Sequence, residues 1–193
     1  HIVTGGGRTV SAAGGWLQGG GLSFSSRKFG LGVDNVVDYR VVLVNGTIVI
    51  ADACTNTDLF WALRGGGGGT FGVVTHVHYK VHPVTPILQV NFGLYGLENL
   101  QDDDIDAAVS IVYQWLQFWI EKSPNLDTNW CGGFFSHTYV HLLYCGSKEQ
   151  AQLSFLSQFQ FWYNFILDKS KTKPGIWGTY FSTEVKENWY EYK

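Results

Sequence analysis

The sequence lacks methionine altogether, and His1 to Gly5 show neither the charged nor the apolar region of a signal peptide. We therefore expect a processed or incomplete chain. Neither sign of charge is in large excess, because 13 basic and 16 acidic side chains give a formal net charge of −3. A chain without a broad cationic surface is a poor ligand for phosphate backbones, so no nucleic-acid partner is expected.

Long apolar runs are missing too. No stretch reaches the roughly 18 to 20 residues that cross a bilayer, so no membrane span is expected. Cysteine is limited to Cys54, Cys131 and Cys145, which form neither a C-x-x-C pair nor a metal-binding spacing and allow one disulfide at most.

One group of histidines is considered as a metal-binding site. His76, His78 and His82 alternate along a predicted strand, but Lys80 lies between them, and no carboxylate or thiol nearby completes a ligand set. A solvated strand face is the expected role, and no metal site is predicted.

Glycine, in contrast, is abundant, with 24 residues gathered in clusters. Clustered glycines indicate tight turns or backbone held close to another group. Residues 1–35 are rich in glycine and serine and predict loops and short strands. The pair Asn45-Gly46, between Val41–Val44 and Thr47–Ile50, predicts a β-hairpin with a type I′ turn.

Two further elements complete the first half. A short helix is predicted with Thr57 as its capping residue and Gly65 as the glycine that ends it. A strand follows from Gly72. One of its faces is predicted to carry Val73, Thr75, Val77, Tyr79 and Val81, and the other to carry His76, His78, Lys80 and His82.

Pro83 and Pro86 end that strand and predict a boundary between a domain of residues 1–86 and one of residues 87–193. The second part predicts strands near 88–92, 130–135 and 138–144, a helix over 102–122, and a helix from Ser147 to Leu167. This order is typical of an α+β fold, an antiparallel sheet with helices on one face. Its many aromatic side chains fill a core or line a binding surface.

Four glycine-containing segments form the most specific pattern in the chain. Gly67–Gly72 fits G-x-G-x-x-G, but it follows a helix and precedes a strand, the reverse of the order that a Rossmann dinucleotide site requires. The four segments are GGWLQGGG at 14–21, RKFGLGVDNVV at 27–37, DLFWALRGGGG at 58–68 and FGVVT at 71–75.

In this order and spacing the segments resemble the second half of the PCMH-type FAD-binding domain of berberine-bridge-enzyme-like oxidoreductases, in the vanillyl-alcohol-oxidase superfamily. Fungal members are the most similar. The resemblance covers residues 3–86 closely and the start of the family's substrate domain more loosely. It implies FAD as cofactor and a small-molecule substrate.

The resemblance also implies a set of cofactor-binding residues, although some of these glycines can serve close packing alone. Near the flavin's phosphates and ring edge it places Gly14, Gly15, Gly19, Gly20, Gly21 and Ser23. Near the ribose and adenine it places Asn35, Val36, Gly72 and Val74.

The sequence departs from the family pattern in three places. The segment with the flavin-linked histidine has no counterpart, no cysteine lies near Arg8, and Leu22 replaces a usual histidine. FAD is therefore not expected to be covalently attached through this chain, and no catalytic residue is assigned. A complementary polypeptide that carries the family's N-terminal half is the expected partner.

The resemblance implies an FAD-dependent oxidase that acts on a sugar, an alcohol or a specialised metabolite, with hydride transfer to flavin and O2 as acceptor. The alternative is a non-catalytic fragment or binding protein that uses its aromatic-rich second domain. Relatives are commonly secreted, and Asn45-Gly46-Thr47 is an N-glycosylation sequon, so a secreted glycoprotein is expected.

Overall fold

The computed structural model describes residues 1–7, 9–95, 102–136, 138–170 and 178–187. Cα packing divides the chain into two compact units, His1–Val84 and Thr85–Lys193. The division falls between Pro83 and Pro86. Each unit has its own buried core.

The first 35 residues contain short helical turns. These are α1 (Gly15–Gln18), α2 (Ser26–Phe29) and a 3₁₀ turn over Gly32–Asn35. The described residues of this segment include no strand, so the prediction of short strands here was wrong. Gly20 and Gly21, with φ of 115° and 78°, interrupt any extended run.

A three-stranded antiparallel sheet follows, with strand order β2-β1-β3. Its strands are β1 (Val36–Val42), β2 (Ile48–Asp52) and β3 (Val73–Tyr79), and helix α3 (Thr57–Leu63) links the last two. The core of this unit is formed by Leu17, Val33, Val36, Tyr39, Val41, Ala51, Phe60 and Leu63.

The β1–β2 hairpin is present as predicted, but its turn is of another type. Gly46 has φ of 80°, whereas Asn45 does not have the positive φ that a type I′ turn requires. The N–H of Gly46 donates to Leu43 O at 2.9 Å, and the N–H of Leu43 donates to Thr47 O at 2.9 Å. The loop is therefore a three-residue connection in which only the glycine takes the left-handed conformation.

The start of α3 also differs from the prediction. Asn56, not Thr57, occupies the capping position; it has φ of 47° and makes no side-chain capping bond. Its Nδ2 instead donates to Ile50 O at 2.7 Å, which ties the helix start to β2. Gly65, with φ of 131°, follows the end of the helix, as the sequence predicts.

A β-bulge changes which residues of β3 face the core. Val41 pairs with Val74 and Arg40 pairs with His76, so Thr75 is the extra residue. Val74 therefore packs against the core, while Val73 is 64% exposed. The prediction that Val73 and Thr75 share a face with Val77 and Tyr79 was wrong for this reason.

The second unit is an antiparallel sheet of strand order β5-β6-β4-β7, with helices against one face, which confirms the predicted α+β fold. The strands are β4 (Ile87–Tyr95), β5 (Trp130–Phe135), β6 (Tyr139–Cys145) and β7 (Gly178–Lys186). The sequence analysis did not predict β7. The helices are α4 (Asp102–Lys122), α5 (Lys148–Ala151) and α6 (Ser157–Ser170), the last two joined by a π-helical turn over Gln152–Leu156.

Aromatic residues fill the layer between this sheet and its helices. Trp115 of α4 is fully buried, and its ring centroid lies 4.5 Å from that of Phe92 on β4 and 5.5 Å from that of Trp119. Trp162 and Tyr163 of α6 pack against the same cluster. Most of the aromatic side chains that the structure describes in this unit therefore serve its core. Ser147 caps α5 and forms the predicted capping box with Gln150.

Candidate functional site

Two glycine segments of the first unit lie against each other. We call Gly14–Gly21 together with Gly65–Gly69 the glycine cradle. The N–H of Gly67 donates to Gln18 O at 3.0 Å, and a Cβ at Gly68 would lie 3.9 Å from the Cα of Gly15. The run of five glycines after α3 thus approaches the turn of α1 closely, which side chains at these positions would hinder.

Some glycines of the cradle face open space. A Cβ added at Gly15, Gly20, Gly65 or Gly69 would meet nothing within 4 Å. Packing within the chain therefore does not explain the missing side chains at these positions. A positive φ accounts for glycine at positions 20, 65 and 69, whereas Gly15 has neither a positive φ nor a close neighbour, so its backbone is open to the approach of another molecule.

Other predicted glycines have an internal reason. At Gly21, with φ of 78°, a Cβ would lie 2.8 Å from the Cα of Gly32. At Gly72, with φ of 149°, it would lie 2.6 Å from Val41 Cγ1. A Cβ at Gly19 would approach the carbonyl oxygen of Gly15 to 3.1 Å, whereas Gly14 has only ordinary contacts. The cradle thus contains both packing glycines and open ones.

Gln18 provides an unpaired polar group in the cradle. The residue is only 7% exposed, and its Oε1 is buried and accepts no hydrogen bond. A buried acceptor without a donor is costly, and a group that carries an N–H or O–H would offset that cost. The ribityl and ribose hydroxyls and the ring N–H of FAD are such donors, whereas its phosphates are not. The cradle therefore fits FAD at this atom.

Ser23 and Asn35 use their side chains within the chain. The Ser23 hydroxyl accepts from the N–H of Ser25 at 3.3 Å, in the turn before α2. Asn35 is 1% exposed; its Nδ2 donates to Phe29 O and to Leu31 O, both at 2.8 Å. These two residues would therefore contact a cofactor mainly through their main-chain atoms.

The remaining predicted residues, Val36 and Val74, lie in or against the core. Asn35 Oδ1 also accepts from His82 Nε2 at 2.6 Å. Burial first, and then the charge of Lys80, lower the pKa of His82. The neutral imidazole therefore completes the hydrogen bonding of Asn35. Sequence reasoning did not identify Gly65 or Gly69, for which the glycine run after α3 was the available signal, and it did not identify Gln18.

In the second unit, the sheet face opposite the α4 and α6 layer has a polar and aromatic character. The Tyr139 hydroxyl donates to Asn91 Oδ1 at 2.9 Å, and His141 Nδ1 lies 2.7 Å from the same oxygen. The rings of Tyr139 and Tyr180 have centroids 6.4 Å apart. Gly93 lies under Tyr180, because a Cβ there would lie 2.5 Å from Tyr180 Cε1. We call these five residues the Asn91 face.

The titration of this face follows from its partial burial. Burial lowers the pKa of His141, so the ring is neutral at pH 7. Since Asn91 Oδ1 can only accept, Nδ1 of His141 carries the proton and Nε2 is the basic nitrogen. Burial raises the pKa of Tyr139, so its hydroxyl remains a donor.

The three histidines considered for metal binding have separate partners. His78 Nδ1 lies 2.7 Å from Asp38 Oδ2, and His76 Nδ1 lies 3.1 Å from Thr75 Oγ1, whereas His82 bonds to Asn35. Across the described ranges, no group of three or more His, Cys, Asp or Glu side chains could hold a metal ion.

Cys131 and Cys145 form a disulfide between β5 and β6, and Cys54 is exposed and free. Both bridged cysteines are buried. Within the part of the chain that the structure describes, no helix has the length and apolar character needed to cross a membrane.

Comparison with curated proteins finds relatives that are named FAD-linked oxidoreductases. No family model matches the sequence. The FAD-linked oxidoreductase easE of Arthroderma benhamiae is 58% identical over 81 residues, which are 42% of this chain and 16% of that protein. The FAD-linked oxidoreductase phmC of Phaeosphaeria nodorum is 56% identical over 130 residues, which are 67% of this chain and 28% of that protein.

Solved structures show the same fold. The VAO-type flavoprotein MtVAO615 of Myceliophthora thermophila matches 99% of this chain with a TM-score of 0.70 and 25% identity. The BBE-like 1 protein of Physcomitrella patens matches 98% with a TM-score of 0.66 and 27% identity. These matches cover 32% and 36% of the two structures. The resemblance to berberine-bridge-enzyme-like FAD-linked oxidoreductases is thus confirmed, while the chain spans only about a third or less of each of these four proteins.

Proposed function

We propose that this chain, which resembles FAD-linked oxidoreductases of the VAO type, supplies part of the cofactor site and part of the substrate surface of an FAD-dependent oxidase. The observation that carries the proposal is the glycine cradle, with open backbone at Gly15 and Gly20 and the unpaired Oε1 of Gln18. The names of the relatives and the fold of the solved structures support FAD as the group bound there.

In this proposal FAD held by the cradle would supply the acceptor for a hydride from the substrate, with O2 as the final electron acceptor. The residues of the first unit bind and orient. Gln18 accepts a hydrogen bond from a hydroxyl or ring N–H, and the open glycines let the backbone approach the cofactor. Gly21 and Gly72 hold the surrounding turns in place.

The second unit would present the Asn91 face to a small-molecule substrate, which we propose to be a sugar, an alcohol or a specialised metabolite. Asn91 holds Tyr139 and His141 in fixed orientations, so this face would offer a substrate a defined set of polar side chains. Tyr180, 39% exposed, offers a ring for stacking.

Flavin absorbance of the full-length protein tests the proposal. The wild type should be yellow after gel filtration, and substitution Gln18→Leu, which removes the acceptor at similar size, should lower the flavin content. Gln160→Leu, the same substitution at an exposed residue of α6 in the second unit, is the matched control. A colourless, monodisperse protein that ignores added FAD would favour the alternative, a binding protein without redox activity.

We also propose that the protein is secreted and N-glycosylated at Asn45. The buried Cys131–Cys145 disulfide supports this, because such bonds form and persist in oxidising compartments. Asn45 is exposed at a hairpin loop, where a glycan can be attached. Treatment of natively sourced protein with an N-glycosidase should lower its mass, and an unmodified Asn45 peptide would contradict the proposal.

The remaining cofactor contacts, including a flavin-linked histidine, are proposed to come from residues outside this chain. The small share of each relative that the chain covers supports this. The simplest arrangement is a complementary polypeptide from one cleaved precursor. Denaturing electrophoresis and N-terminal sequencing of native protein test it. A lone 193-residue species that unfolds cooperatively without flavin would exclude it.

A further inference from the structure

We propose that the cavity beside the β1–β2 hairpin loop seats the innermost sugars of the glycan on Asn45, with Phe71 as their stacking surface. This inference rests on the proposed glycosylation of Asn45. The cavity has a volume of about 510 Å³ and opens to solvent between the hairpin loop and the segment that leads into β3. Asn45 itself lines it, so a sugar attached there begins at its rim.

The hairpin loop holds the sequon in a defined geometry. Asn45 Oδ1 accepts from the N–H of Thr47 at 3.0 Å, which fixes the side-chain amide. The oxygen is thereby occupied, and Nδ2, the atom that bears an N-linked sugar, remains available among the described contacts. Gly46 makes this geometry possible, since its φ of 80° turns the chain back into β2.

The walls of the cavity suit a pyranose ring. They include Leu43, Val44, Thr70, Phe71 and Val73, and none of the lining residues carries a charge. A hexosamine has an apolar face of C–H groups, which packs on an aromatic ring, and hydroxyls that remain in water or bond to the backbone. The size falls within the usual range for small-ligand sites, about 300 to 1,000 Å³.

The exposure of the lining residues gives a second reason for an occupant. Val44 is fully exposed, Val73 is 64% exposed and Phe71 is 44% exposed, so three large apolar side chains meet solvent around one cavity. Grouped exposed apolar residues mark interaction surfaces more often than single ones do. The covalent link at Asn45 supplies an occupant at high effective concentration without any partner protein.

The test measures how fast the glycan is removed from the folded full-length protein. An N-glycosidase must reach a glycan that is not docked, so stacking on Phe71 slows the reaction. Ring contacts contribute about 0.5 to 1.5 kcal/mol, and 1.4 kcal/mol corresponds to a factor of ten. Phe71→Ala should therefore accelerate removal by about 2- to 12-fold. Phe71→Trp keeps an aromatic surface and should leave the rate near that of the wild type.

Trp61→Ala is the matched control, because Trp61 is a 78% exposed aromatic residue of the same unit that does not line the cavity. It should not change the rate. In denatured protein all variants should be deglycosylated equally fast. Hydrogen exchange of the folded wild type gives a second readout: residues 69–73 should exchange faster after the glycan is removed.

The outcomes separate this inference from the glycosylation itself. If peptide mapping finds Asn45 unmodified, both are wrong. If Asn45 carries a glycan but Phe71→Ala and Trp61→Ala behave as the wild type, and exchange at 69–73 ignores the glycan, docking in the cavity is wrong and glycosylation stands. Rapid removal from Phe71→Ala alone, with slow removal from Phe71→Trp, supports the proposal.

Discussion

Substitution of Gly15 by alanine separates a glycine that serves a cofactor from one that serves packing. Gly15 is the first residue of α1, and a Cβ there would meet nothing within 4 Å. In a helical position, alanine is more favourable than glycine by roughly 0.5 to 1 kcal/mol. The protein without flavin should therefore be as stable as the wild type or slightly more stable.

Flavin binding should respond in the opposite direction. If the cofactor approaches the backbone at Gly15, an added methyl group displaces it, and a loss of about 1.4 kcal/mol lowers the affinity tenfold. Flavin absorbance relative to protein absorbance, measured on full-length protein after gel filtration, gives the content. The thermal unfolding midpoint of the same variants, measured after all flavin has been removed, gives the stability.

Gly32→Ala is the matched control. A Cβ there would lie 2.7 Å from Trp16 Cη2, so the substitution should destabilise the first unit by about 1 to 3 kcal/mol through overpacking. Flavin loss in this variant should follow unfolding. If Gly15→Ala retains full flavin content and wild-type stability, the open face of the cradle does not contact FAD, and the reasoning from empty space at glycine is wrong.

Three further predictions concern stability. Asn35→Ala removes the donor to the carbonyls of Phe29 and Leu31 and should lower the free energy of unfolding by about 3 kcal/mol, as measured in denaturant. A change below about 0.5 kcal/mol would show that these hydrogen bonds do not stabilise the fold. Replacing both Cys131 and Cys145 with alanine should lower the free energy of unfolding by about 3 kcal/mol, because the disulfide closes a loop with a sequence separation of 14. If reductant does not change the thermal unfolding midpoint of the wild type, the disulfide makes no such contribution. Burial lowers the pKa of His141 below its ordinary 6.5, so its stabilising effect is complete above pH 6.5 and is lost as the pH falls through the folded value. His141→Gln should flatten the pH dependence of unfolding in that range, and an unchanged slope would refute it.

Long periodic elements were predictable from the sequence. The helix over Asp102–Lys122 has the bounds that its acidic start and amphipathic pattern predict, and the Ser147 capping box is in place. The antiparallel sheet with helices on one face followed from the order of these elements. In these regions the periodicity and capping residues of the sequence favour the same structure as the tertiary packing, so they suffice to predict it.

Features set by backbone conformation at single residues were not predictable. The bulge at Thr75 has no signature in an alternating strand, and it moved Val74 rather than Val73 to the core. Asn45-Gly46 fits two hairpin turn types, and the sequence does not decide between them. Strand β7 pairs with β4 over nine positions, although its own residues show no clear alternation.

The candidate site was only partly accessible to sequence reasoning for a related reason. The glycine motifs indicated where backbone comes close to another group, but not whether that group belongs to the chain. Only the space around each glycine separates Gly15 from Gly21. The unpaired Oε1 of Gln18 depends on burial by a segment about fifty residues away in sequence, the glycine run at 65–69, and therefore had no local signal.

The bulge in β3 also determines where this strand tolerates a change in length. Thr75 has no partner of its own on β1, so a chain without it would still pair Val74 with Val41 and His76 with Arg40. Deletion of any residue from 76 to 79 would instead shift the following side chains to the opposite face of the sheet. Among homologous chains, one-residue gaps in this strand should therefore fall at Thr75, and an alignment that places them elsewhere would put Tyr79 on the solvent side of the sheet.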